Sequence, residues 1–144
     1  MDSISRGDRR WQALLDRHHE ITRQTVSAHT GHWVRSTGDG MLATFPGPGR
    51  AISGATDLLT AIASIDLRLR TGIHTGEIEV SGDDVGGIAV HLAARVMAEA
   101  QANEILVSRT VKDLVVGSDL AFEDRGVHSL KGIEDDWHLY AVTT

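Results

Sequence analysis

The chain has 144 residues, long enough for one buried core and too short for two, so a single domain spanning residues 1–144 is expected. Fourteen basic against twenty acidic residues give a net charge of −6, which argues against a nucleic-acid surface, and the absence of cysteine excludes disulfides, thiolate metal sites and thiol nucleophiles. The start, MDSISRGDRRW, has no apolar h-region and no run approaches a membrane span, so no membrane partner and a cytoplasmic location are expected.

In chain order, Trp11, Leu14, Leu15, His18, Ile21, Thr25 and Val26 recur at helical spacing and predict an amphipathic helix over residues 8–29, capped by Asp8 and closed by Gly31. His18 and His19 are adjacent, fall on different faces and do not form a chelating pair. Residues 31–45, GHWVRSTGDGMLATF, read as two short strands folded on a tight turn. Asp39 stands at its tip between Gly38 and Gly40, a sequence that on its own is an ordinary hairpin signal.

After the punctuated loop Pro46, Gly47, Pro48 and Gly49, the positions Ala51, Ile52, Ala55, Leu58, Leu59 and Ile62 mark a second amphipathic helix. Alternation over Leu67, Leu69, Thr71 and Ile73 predicts a half-buried strand, turned at Gly76 into a short antiparallel partner over residues 77–80. A polar, glycine-rich loop over residues 82–87 then runs into a helix with Ile88, Leu92 and Val96 on its apolar side. His91 and Arg95 are four residues apart and share another face, from which both can reach one ligand. Asp84 lies just before this helix. Each of these three residues alone has an ordinary surface or half-buried role as its simplest reading.

Residues 104–107 read as a strand, and Ser108 begins a brief helix with Val111, Leu114 and Val115 inward. Alternation near residues 121–127 and 137–142 predicts a last strand pair with Lys131 in the connection. The order of elements suits an α+β sandwich whose helices cover one face of a mostly antiparallel sheet.

Taken together, residues 31–45 and 82–97, continued by SRTVKDLV and FEDRGVHSLKGI, resemble the class III nucleotide cyclases, the adenylate and guanylate cyclase family. The resemblance covers nearly the whole chain from Gly7 onward. It implies a ferredoxin-like βαββαβ version of the sandwich and a reaction in which a ribose 3′-hydroxyl attacks the α-phosphate of the same nucleotide, assisted by two divalent ions, Mg2+ or Mn2+. Asp39 matches one of the two metal aspartates of the family. Arg35 stands where the family has a base-reading lysine, and Asp84 where it has a base-reading aspartate. An acceptor at Asp84 suits the exocyclic amine of adenine, so ATP is expected over GTP.

Arg95 matches the transition-state arginine, His91 stands at the place of its asparagine partner, and Lys131 falls where the family has a triphosphate-binding lysine. The family's first strand, with the other metal aspartate, has no counterpart in residues 1–6, so weak or absent turnover is expected of these 144 residues alone. The resemblance implies a dimer in which each site is shared. This is either a homodimer or a heterodimer with a complete cyclase, in which the chain is a nucleotide-binding or dimerisation module.

Overall fold

The computed structural model describes residues 2–37 and 40–143, with side chains from residue 8 onward except that of Thr37. Helix α1 (Asp2–Ala28) begins well before Asp8, which is therefore inside the helix and not its cap. Nothing in residues 2–7 stops a helix: there is no proline, and one glycine costs only about 1 kcal/mol. Only Thr22 and Val26 of α1 are fully buried, while Trp11 is exposed, so the helix is anchored through its C-terminal half against α2 (Pro48–Ala63).

The left-handed residue that ends α1 is Thr30, with φ 63°, and the amide of Gly31 donates to the Val26 carbonyl at 2.8 Å. Gly31 is needed for another reason. A Cβ there would overlap the Phe45 ring and Val26.

Strands β1 (His32–Thr37) and β2 (Gly40–Thr44) form an antiparallel hairpin, and the expected metal residue Asp39 lies outside the described residues. Helix α2 buries Ile52, Gly54, Ala55, Leu58 and Ile62 and leads to β3 (Arg70–Ile73), shorter than the expected strand.

Residues 77–80 do not pair back onto β3. Instead β4 (Glu79–Ser81) pairs with β5 (Asp84–Gly86), so part of the expected glycine-rich loop is a strand. The turn between them has Gly82 at φ 61° as its first central residue, the position that suits a tight hairpin. The expected pairing with the preceding strand fails because a side-chain period of two is the same in any pairing and does not select the neighbour.

Helix α3 (Ile88–Glu99), strand β6 (Glu104–Ser108), helix α4 (Arg109–Leu114) and strands β7 (Phe122–Ser129) and β8 (Asp136–Val142) complete the chain. The main sheet has the order β3-β6-β8-β7, with β3 and β6 parallel and the other two pairings antiparallel.

Alternation along β6 and β8 sends side chains to both faces. Ile105, Val107 and Tyr140 pack with Ile52 and Ala55 of α2 and with Val111, while Leu106, Leu139 and Ala141 pack with Leu92 and Val96 of α3 and with Leu130. Helices therefore cover both faces of this sheet, not one, which is why Ile105, Leu106 and Val107 of β6 form a continuous apolar run.

Two expected core residues are outside. Ile88 is 65% exposed, and Ala89 takes the inward place beside Gly76; Leu114 is 61% exposed, and only Val111 and Val115 of that stretch are buried. Helix α4 is too short for a third inward residue, since its single turn and a half ends at Leu114.

Candidate functional site

Arg35 and Asp84 come from hairpins distant in sequence and meet in the fold. The β1–β2 register shifts between Trp33 and Arg35, and such a bulge re-aims the side chain that follows it. The Arg35 Nε lies 3.3 Å from Asp84 Oδ1, and that oxygen also accepts the amide N–H of Val85 at 2.9 Å. Asp84 Oδ2 and the terminal nitrogens of Arg35 have no partner among the described residues. The side chains are 46% and 57% exposed, so the pair contributes about 0–1 kcal/mol to stability and its members are free to exchange partners with a ligand.

His91 and Arg95 sit on α3, one turn apart, His91 exposed and Arg95 half-buried. The helix starts at Gly87, which has φ 105° and offers no side-chain cap. Below it, Gly72 of β3 lets the strand run against the helix backbone. A Cβ at Gly72 would collide with the Met97 amide and the Ala93 carbonyl. This fixes the depth of α3 on the sheet, while Leu92 and Val96, 2% and 0% exposed, fix its rotation.

Lys131 is held by a tight turn. The Ile133 amide donates to the Leu130 carbonyl at 3.0 Å, Gly132 has φ 78°, and Leu130 is buried as the anchor. A positive φ at the third residue makes glycine the natural choice there. A Cβ on Gly132 would stand 3.3 Å from His91 Nε2, so the turn carries Lys131 to the His91 end of α3. Lys131, His91 and Arg95 form no side-chain hydrogen bond or ion pair among the described residues. Three donor side chains are thus grouped without internal neutralisation, an arrangement able to take a polyanion.

The fold thus brings Arg35 to Asp84, and the turn bearing Lys131 to His91, which is one helical turn from Arg95. The two groups are joined through the chain, with only residues 85–87 between Asp84 and α3. Asp39 falls outside the described residues, and among those residues no group of three or more His, Asp or Glu side chains could hold a metal ion. The described donor set therefore does not make a metal centre by itself.

Sequence reading missed the parts that position these residues. Gly72 carried a usable signal, since a glycine inside a strand pattern marks close backbone approach. The Lys-Gly dipeptide at residues 131–132 was likewise a turn signal. The half-buried bond between His74 and Ser108, at 2.7 Å, had none, because it joins residues 34 apart.

Residues 10–144 match the family model described as the adenylate and guanylate cyclase catalytic domain. A protein of Rhizobium meliloti named "Putative adenylate cyclase 3" is 32% identical over 136 residues, covering 88% of this chain and 23% of that protein. An uncharacterised protein of Mycobacterium tuberculosis is 34% identical over 103 residues, 69% of this chain and 35% of its own length. The chain thus spans about a quarter to a third of these relatives.

Among solved structures, an adenylate/guanylate cyclase/hydrolase from Silicibacter pomeroyi superposes with a TM-score of 0.80 at 26% identity, covering 92% of this chain and 86% of that one. The catalytic core of a rhodopsin-guanylyl cyclase with converted specificity, in complex with ATPαS, gives a TM-score of 0.82 at 19% identity, covering 92% and 82%. The second likeness is one of fold.

Proposed function

The chain belongs to the adenylate and guanylate cyclase catalytic-domain family, and from that premise we propose that it is an adenylate cyclase-type unit converting ATP to cyclic AMP and pyrophosphate. The observation that supports this most is the Arg35–Asp84 pair beside an unneutralised group of His91, Arg95 and Lys131. A free acceptor oxygen next to free guanidinium donors complements the edge of adenine, whose exocyclic amine donates and whose N1 accepts. The three cationic or donor side chains suit a triphosphate. In a net acidic chain, such a local group is what draws a polyanion.

In the reaction, the ribose 3′-oxygen forms a bond to the α-phosphorus, the bond from that phosphorus to the bridging oxygen breaks, and the hydroxyl proton leaves. Arg95 faces the α-phosphoryl oxygens and stabilises the charge that grows on them, which is where a preorganised donor gains most. His91 donates to the ribose or to a phosphoryl oxygen. Lys131 holds the leaving pyrophosphate. Arg35 and Asp84 fix the purine, so that the 3′-hydroxyl is presented to phosphorus and not to water.

Domains of this family use divalent metals, which supply charge neutralisation at the phosphates. Asp39 is the residue of this chain assigned to Mg2+ or Mn2+, and among the described residues no group of three or more His, Asp or Glu side chains could hold a metal ion. The site is completed by a partner protomer, either a second copy or a complete cyclase. The one-domain organisation over residues 1–144 and an intracellular setting, where ATP is abundant, belong to the same reading. No described helix is long and apolar enough to cross a membrane.

The test is cyclic AMP formation from ATP with Mn2+ by the chain and by Asp39→Ala at matched concentration, with GTP as the competing substrate. Turnover of ATP that is lost in the variant supports the reading. If neither turns over alone, adding a complete cyclase disabled at the residue matching Arg95 should restore product through this chain's Arg95. Failure of both contradicts an enzymatic role.

A further inference from the structure

At the end of β3 the chain passes from the main sheet to the hairpin that carries Asp84, and one polar contact is half-buried at that junction. His74 Nδ1 lies 2.7 Å from Ser108 Oγ, at the end of the neighbouring parallel strand. Ser108 is fully buried and also caps α4, accepting the Val111 amide at 3.5 Å. The His74 ring stands edge-on to Trp137 of β8, with centroids 5.3 Å apart. One imidazole thus ties together β3, β6, α4 and β8.

Two residues further on, Gly76 sits against both the His74 ring and the first turn of α3. A Cβ on Gly76 would stand 3.2 Å from the Ala89 methyl and 3.6 Å from His74 Nε2. Ala89 is 7% exposed, and it is the inward residue of the turn that also presents His91. The contacts therefore run from Ser108 to His74, to Gly76, to Ala89 and into α3.

We propose that His74 is a positioning residue for the nucleotide-facing side of α3, and that protonation of its ring unlocks the seat that Gly76 provides for Ala89. The proposal rests on the reading of His91 and Arg95 as nucleotide contacts. It assigns this chain a proton-sensitive support, remote from the charges that would touch the ligand.

Among the described residues no carboxylate pairs with this ring. Glu104, at the other end of β6, pairs with Arg125; Glu99 of α3 lies 3.5 Å from His128; Asp57 of α2 binds His29 at 2.7 Å. Arg70 on β3, Arg95 on α3, Glu77 on the following segment and Asp136 on β8 make no ion pair with His74 among the described residues. Burial therefore holds the His74 pKa below its ordinary value. A folded-state value lowered in this way favours the neutral ring. The stability it contributes is complete above the ordinary imidazole value of about 6.5 and is lost as pH falls through the folded value.

The experiment compares the chain with His74→Asn, which keeps a polar group but cannot titrate, in amide-resolved spectra across the acidic to neutral range. Expected is a shift of the Gly76, Ala89 and Arg95 amides that follows the His74 ring and disappears in His74→Asn. In parallel, affinity for a non-hydrolysable ATP analogue should fall on acidification at least about fivefold more in the chain than in His74→Asn, the low end of usual coupling between sites.

Should His74→Asn not fold, Ser108→Ala retains the ring and must uncouple it from the α3 amides. Amide shifts identical in chain and variant overturn the proposal. Absence of analogue binding at every pH overturns the nucleotide reading instead, while the amide shifts still decide whether His74 positions α3.

Discussion

The main sheet and the two hairpins are built to different standards. In β6 every residue from Ile105 to Ser108 is buried, with Val107 at 0% exposure, and both faces are covered by helices. In β4 every residue is exposed, Val80 at 70%, and β2 is no more than half-buried along its length. Yet Arg35 and Asp84 are on the hairpins, whereas His91, Arg95 and Lys131 are braced by the sheet. The second group is therefore held by packing, and the Arg35–Asp84 pair by little beyond its own ion pair. Under the proposed function, with adjustable residues at the purine and fixed ones at the phosphates, the difference suits chemistry in which phosphorus geometry is the stricter demand.

The comparison makes predictions of decreasing size. Leu139→Ala or Leu106→Ala, in the sheet, should cost about 2–5 kcal/mol in urea unfolding, whereas Val80→Ala on the hairpin should stay within about 0.5 kcal/mol. Equal losses would show that the hairpin is as tightly packed as the sheet. Gly72→Ala must push α3 away from β3 and should cost about 1–3 kcal/mol while weakening ATP-analogue binding. Gly47→Ala serves as its control, since nothing lies within 4 Å of a Cβ there and its φ of −169° suits any residue.

Gly132→Ala forces a side chain into a left-handed turn at a cost of about 1–2 kcal/mol and crowds His91. Its effect on analogue affinity should exceed its effect on the melting temperature. Stability against pH should decline from neutral toward acid, because burial lowers the pKa of both His18 and His74, with the neighbouring His19 adding to the effect on His18. A thermal-melt series that is flat or rising below pH ~6.5 would contradict this. The smallest stability effect is expected of Arg35→Ala or Asp84→Ala, each about 0–1 kcal/mol, with a reduced preference for ATP over GTP as the observable consequence.

How far the sequence could be read follows the same division. Helices α2 and α3 announced themselves through periodicity, because their burial is periodic, and β6 through a short apolar run. The partner of β4 did not, since an exposed alternating stretch fits any neighbour. Ile88 and Leu114 looked inward by spacing, but each stands at a helix end, where the stripe has no sheet beneath it.

The proposed site residues were legible as residue types matching a family pattern, and the structure brings Arg35 to Asp84. What places them was largely hidden: the bulge before Arg35, the seat at Gly76 and the His74–Ser108 bond depend on approaches between segments far apart in sequence.

The measurement that tests the account most directly is calorimetric titration of the chain, Arg95→Ala and Lys131→Ala with a non-hydrolysable ATP analogue. The account predicts saturable binding by the chain, weakened about tenfold or more in each variant, since a charge-assisted bond to phosphate contributes about 1.5–3 kcal/mol. Binding that is absent, or that is unchanged when either cation is removed, would contradict a nucleotide site built on α3.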